Sequence, residues 1–182
     1  MPKCEPIFTG ALSNWPTHWC KIVPPKINFF LWRARLNKLH DKCNLLERGI
    51  ELDNLFCPSC SNQVEDLTHI CFECNIAVQV WVFIASWLDI VLPVWQSVDA
   101  IWQWIMTKFQ SHEKSIILEA ISYATLRTLG RFRNGSIFDP SKFKKCHIID
   151  SIVLYSFDWL SSRYRKANIN WNVWLCTPLL SL

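Results

Sequence analysis

Apolar positions recur at helical spacing along most of the chain, and strand-like alternation is nearly absent. That pattern predicts a mainly α fold. Pro24-Pro25 forbids helix and Lys26 can open one. Ile27, Phe30, Leu31, Ala34 and Leu36 then share a face up to Leu39, which leaves Arg33, Arg35 and Lys38 mostly on the wetter side. Asp41 suits the N-cap of a short helix, Lys42 to Arg48, that Gly49 stops. Ile50 to Phe56 reads as a link. Asn75 can cap a helix to about Leu88, with Val78, Trp81, Val82, Ala85 and Leu88 inward. Ser97 can cap another, with Ile101, Trp104, Ile105 and Phe109 in register. A third runs from about Glu113 to Arg133 and ends in a turn around Asn134-Gly135. Pro140 and Ser141 open a last long helix to near Lys166, striped by Ile149, Ile152, Val153, Ser156 and Leu160. Asn168 to Leu182 is an aromatic tail containing a proline. No internal repeat or low-complexity run interrupts the pattern.

Composition narrows the class. A chain of 182 residues suits one domain, or a small domain with a helical extension. At 51% hydrophobic residues it can fill a core, which excludes a disordered chain. With 4 Gly against 9 Pro, a Gly-rich linker and a collagen-like repeat are excluded. The 11 Trp and 11 Phe predict large buried side chains, some left exposed for a partner. The net charge of +4 hides a pattern: residues 21–48 sum to +5, residues 49–89 to −6 without a single Lys or Arg, and residues 90–182 to +5. Basic arms can meet phosphates, or they can be the solvated faces of helices. Met1 to Gly10 lacks the apolar stretch of a signal peptide. The uncharged run Cys74 to Leu88 has 15 residues, short of the roughly 20 that a membrane span needs, so it reads as a buried helix. Nine Cys without a signal peptide point to a reducing compartment with metal or free thiols rather than a disulfide frame. The expected location is therefore intracellular, cytoplasm or nucleus, with no membrane partner.

The chemistry concentrates in one stretch. Cys57-Pro58-Ser59-Cys60 is followed by His69 and Cys74, giving Cys-x2-Cys-x8-His-x4-Cys. Two thiols two residues apart can wrap one ion in a tight turn, and a second pair closes a tetrahedron. Three thiolates and an imidazole make one closed structural Zn²⁺ site with no open position for water, so hydrolytic chemistry is not expected. Cys71 rivals Cys74, but the wider spacing to Cys74 leaves more room for a metal loop. Cys43 and His40 are too isolated to enlist. Cys4, Cys20, Cys146 and Cys176 read as core or free thiols, and His112 and His147 as surface or core residues. Glu65-Asp66, the one adjacent acid pair, reads as a solvated turn. There is no Gly-rich phosphate loop and no Ser/His/Asp arrangement, so no catalytic residue is assigned.

Several separated motifs, in order, resemble the zinc-binding domain of plant LINE-type (non-LTR) reverse transcriptases. They are Trp19-Cys20-Lys21-Ile22-Val23-Pro24-Pro25-Lys26-Ile27-Asn28-Phe29-Phe30-Leu31-Trp32-Arg33, then Asn44-Leu45-Leu46-Glu47-Arg48-Gly49-Ile50, then the Cys57 and Cys60 pair. Glu65-Asp66-Leu67-Thr68-His69-Ile70-Cys71-Phe72-Glu73-Cys74 and Trp81 complete the set. The likeness spans roughly residues 15–88. It continues in Leu126-Arg127-Thr128-Leu129-Gly130-Arg131-Phe132-Arg133-Asn134 and Ile137-Phe138, where the family usually has Trp in place of Arg127 and Gly130. The resemblance implies Cys57, Cys60, His69 and Cys74 as ligands, with Cys71 a passenger. It also implies a division into a tail (1–14), a zinc-binding domain (15–95) and a helical extension (96–182). In the family this domain lies downstream of the polymerase and is presumed to help hold nucleic acid. The expected partners are thus RNA or DNA and the polymerase domain of the parent element, with no small-molecule substrate. Lys26, Arg33, Arg35, Lys38 and Lys42 are the candidate phosphate contacts. Trp32 can stack on bases, although core packing suits its position better. No Asp-Asp pair occurs in the chain, so the family's paired metal-binding aspartates are absent and polymerase activity is not expected. The alternatives are a protein-interaction module that docked on the polymerase, or a non-functional relic of an element.

Overall fold

A computed structural model describes residues 18–164 and 169–181. The fold is mainly α, as the periodicity predicts: helices, a single π turn and a 3-10 turn, with no strand among the described residues. Helix α1, Pro25–Arg35, begins one residue earlier than expected. Proline at the first helical position loses no hydrogen bond, because that N–H has no intrahelical acceptor. Ile27, Leu31 and Ala34 face the core. Asn28 is buried beside them and clamps the lead-in, accepting from the Cys20 N–H at 3.1 Å and donating to the Cys20 carbonyl at 2.9 Å. The helix closes through Asn37 at φ 50°. Helix α2, Lys42–Glu47, has Asp41 as its N-cap, accepting from the Asn44 N–H at 2.8 Å, and Gly49 follows at φ 79°. That left-handed φ is where glycine is favoured.

Helix α3, Asn75–Leu88, ends where expected, but Asn75 is its first residue rather than its cap, Cys74 preceding it without a side-chain cap bond, and it buries a different face. Ile76, Ala77, Val80, Trp81, Ile84 and Leu88 point inward, while Val78 and Val82 face out, Val82 at 64% exposure. An almost wholly apolar helix carries little periodic contrast, so the inward side is set by its neighbours. Helix α4, Val98–Lys108, is capped by Ser97 and buries Ile101 and Ile105. Helix α5, His112–Phe138, is the axis of the molecule. Residues 115–126 are buried all the way round, and α5 packs on α1, α4, α6 and the π turn. The turn expected at Asn134-Gly135 is instead helix. Phe143 lies so close that a Cβ on Gly135 would sit 2.0 Å from its ring. Tertiary packing therefore overrides the local turn signal. For the same reason the last long helix starts later than Pro140: residues 139–146 fold back to seat Phe143, and α6 spans His147–Arg163. Its Ile152, Val153, Ser156 and Leu160 are buried as the stripe predicts, with Ile148 rather than Ile149 completing it. Helix α7, Trp171–Cys176, and the 3-10 turn Pro178–Leu180 end the described chain.

One continuous hydrophobic core runs from Cys20 to Trp174. The aromatic excess is largely inside it, as in the file of Phe72, Trp81, Trp95, Trp104 and Phe109 with successive ring centroids 5.4–6.3 Å apart. Cys20, Cys57, Cys60, Cys71, Cys74, Cys146 and Cys176 are free thiols. Cys43 is buried in α2 and disulfide-bonded, where the composition predicts free thiols or ligands. Cys4 lies outside the described residues. No described helix is long and apolar enough to cross a membrane.

Candidate metal centre

The first half of the site is a knuckle. Phe56 and Val64 form an isolated antiparallel bridge. Just inside it the Cys57 N–H donates to the Gln63 carbonyl at 2.8 Å, and the Ser61 N–H donates to the Cys57 carbonyl at 2.7 Å. Ser61 adopts φ 55°, which reverses the chain immediately after Cys60. Pro58 lies in the same turn and narrows its backbone choices.

The second half is the π turn His69–Glu73. Asp66 accepts from the His69 N–H at 2.7 Å at its start, and the Cys74 N–H donates back to the His69 carbonyl at 2.7 Å. That i to i+5 bond explains the spacing of four intervening residues. A π turn stacks residue i+5 over residue i, whereas an α-helical turn would carry Cys74 away from His69. Cys71, two residues after His69, then falls on the opposite side, fully inside the core. Burial pushes its thiol up to about 12, and its carbonyl accepts from the Trp81 indole at 2.8 Å. The shape of the turn brings Cys74, and not Cys71, beside His69.

The donor atoms of Cys57, Cys60, His69 and Cys74 all lie within 4.8 Å of one another. Zn–S bonds of about 2.3 Å set tetrahedral edges of roughly 3.8 Å, so only small side-chain adjustments separate this arrangement from a zinc tetrahedron. The Cys60 Sγ is 3.3 Å from the His69 Nε2. The groups already sense one another as acids and bases. Hydrogen bonding to Cys74, then burial, raises the Cys57 thiol to about 11, while the Cys57 partner lowers Cys74 to about 7. Contacts to Cys57, then Cys60, raise the His69 imidazole to about 9. Such a set holds charge only jointly, and a divalent cation in its midst would replace the shared protons.

The knuckle is fastened to the rest of the molecule by the residue that the sequence pattern reads as a solvated turn. Glu65 is completely buried. Its carboxylate forms a forked ion pair with Arg133 of α5, one arm at 3.0 Å and the other shorter, and it also accepts from the Lys42 N–H at 3.1 Å. Adjacent acids look solvated in a sequence, and only the third dimension brings Arg133 to them. Asp66 beside it caps the π turn.

The candidate phosphate contacts divide. Lys26 and Lys38 are exposed, and Arg33 is half-buried with one N–H donated to the Lys38 carbonyl at 2.8 Å. Arg35 is engaged inside the fold, paired with Asp99 at 2.5 Å. Lys42 donates to Asn54 and to the Phe56 carbonyl, both at 2.8 Å, and so closes the knuckle. Trp32 is at the surface against Phe29, with ring centroids 5.4 Å apart. It is not a core residue, as its spacing had favoured.

Residues 8–81 match the family described as zinc-binding in reverse transcriptase. The matched stretch ends at Trp81 and contains all four clustered donors. It supports a reverse-transcriptase zinc-binding domain, and the cluster is consistent with one structural zinc. The matched family is a zinc-binding domain rather than a polymerase catalytic domain. No curated protein and no solved structure matches the chain.

Proposed function

We propose that this chain is the zinc-binding part of a reverse transcriptase of the plant LINE type. It uses one structural Zn²⁺ on Cys57, Cys60, His69 and Cys74 to shape a nucleic-acid-binding surface, and has no polymerase activity by itself. The zinc would be held by four protein donors and would supply cross-linking rather than catalysis. The site sums to about −1 with three thiolates and sits among acidic residues, so the knuckle itself repels phosphate. The binding surface is instead the outer side of α1. Lys26, Phe29 and Arg33 recur there at helical spacing, with Trp32 beside Phe29 and Lys38 following in the loop. Exposed cations interleaved with exposed aromatic rings suit single-stranded nucleic acid, which offers phosphates and unstacked bases together. This α1 surface is the observation that carries the proposal.

The test is association with single-stranded RNA and DNA at several salt concentrations. Lys26→Glu with Lys38→Glu should weaken binding at least tenfold and flatten its salt dependence. Binding unchanged by the double reversal would contradict the assignment. A second reading, a protein-docking module, draws on the outer face of α3, where Val78, Val82 and Phe83 lie exposed. Self-association relieved by Val82→Lys would favour it.

A further inference from the structure

A cavity of about 190 Å³ lies between α1 and α5; none of the four metal donors lines it, although Leu67, Ile70 and Cys71 of the metal loop do. Phe30 and Arg33 line it from α1, His40 and Asp41 from the following loop, and Arg127 and Arg133 from α5. Its size is below the roughly 300–1,000 Å³ of whole-ligand sites, which suits one small group rather than a complete cofactor.

The charges around it are unequally satisfied. Arg133 is spent on Glu65 and on the Asn134 side chain, which accepts at 2.9 Å. Asp41 is spent on Asn44, accepting from its N–H at 2.8 Å and its amide nitrogen at 2.7 Å. Arg127 has no carboxylate partner among the described residues. Its guanidinium lies over the Phe30 ring, 5.2 Å from the centroid. Burial, then the charge of Arg131, pulls it below the usual arginine range. A half-buried guanidinium without a counter-charge costs stability unless something anionic completes it. Arg33 offers a second guanidinium from the facing helix. Gly130 keeps the wall open, since a Cβ there would press on the Phe30 ring at 3.2 Å.

We propose that this cleft is a phosphate site, in which Arg127 and Arg33 clamp the phosphate of one nucleotide unit from opposite helices. Planar guanidinium forks match phosphate oxygens in pairs. The chemistry recognised is a nucleotide phosphate, and the nucleic-acid reading above supplies its source, a strand crossing the outer side of α1.

The full zinc-loaded chain is titrated with fluorescein-labelled oligo(U) and oligo(dT) across salt concentrations, and separately with AMP followed by NMR of the arginine Nε resonances. Arg127→Gln should weaken the oligonucleotide about tenfold and lower the salt slope by about one, the signature of a single lost phosphate contact. Gly130→Leu fills the cleft without altering charge and should weaken binding too. Both variants are compared with the wild type by zinc content and near-ultraviolet circular dichroism, so that misfolding is recognised. Strong oligonucleotide binding untouched by Arg127→Gln in a folded variant would overturn the cleft and leave the nucleic-acid reading standing. AMP binding that shifts Arg127 without any oligonucleotide binding would support the cleft as a free-nucleotide site and overturn the nucleic-acid source. Neither ligand binding would overturn both.

Discussion

Single residues carry the coupling between the metal loop and the helices. Glu65 and Arg133 form a buried pair, and such pairs are costly to break one side at a time. Glu65→Gln leaves Arg133 buried without its counter-charge and should cost about 3–5 kcal/mol in urea denaturation. Replacing both residues by Met should recover much of that loss. A single-variant cost below about 1 kcal/mol would mean that the pair is peripheral to the fold. Protons at the donor set give a second expectation. Neighbours and burial push the Cys57 thiol up, and the adjacent thiols push the His69 imidazole up, so the donor set holds protons that ligation must displace. Zinc binding should therefore release protons, and affinity should rise with pH and fall as the solution is acidified. Calorimetry in buffers of different ionisation enthalpy reads the count directly. The clustering of Cys57, Cys60, His69 and Cys74 was legible in the sequence because their spacing is itself the chemical signal. Glu65 was not, because its partner is 68 positions away.

Elements were legible wherever a local signal agreed with its surroundings. The caps at Asp41 and Ser97 and the stop at Gly49 all stand, because a side-chain oxygen or a left-handed φ acts within one turn of chain. Two element boundaries failed for one shared reason. Asn134-Gly135 carries a strong turn signal, yet Phe143 needs the bare backbone of Gly135 and keeps α5 helical past it. Gly135→Ala raises helix propensity by about 1 kcal/mol, but the added methyl collides with the Phe143 ring. The net outcome should be a destabilisation of about 1–3 kcal/mol, as for an overpacked core. Pairing it with Phe143→Ala should remove the clash and expose the propensity gain in thermal unfolding. A Gly135→Ala chain more stable than wild type would show that Phe143 is free to move aside. The inward face of α3 was the third miss. Its apolar residues surround the helix, so no stripe marks a side, and only the neighbouring helices do.

Across the whole molecule, the zinc loop and the later helices are built on one core. Glu65 joins Arg133, the π turn packs on α5, and α1 packs on both α4 and α5. Loss of the metal should therefore be felt beyond residues 57–74. Chelation by EDTA should lower the thermal midpoint of the entire chain rather than melt a local loop, readable as one cooperative transition at lower temperature. The charge pattern along the sequence becomes spatial only in part: Lys26, Arg33 and Lys38 of the first basic arm lie on or beside the open side of α1, while Arg35 pairs with Asp99 and Lys42 closes the knuckle. The most direct measurement is zinc stoichiometry in the purified chain and in Cys57→Ser, Cys74→Ser and Cys71→Ser. One zinc per chain, lost with Cys57 or Cys74 and kept with Cys71, is the predicted result. A folded wild type that binds no zinc, or a zinc lost equally with Cys71, would contradict the account.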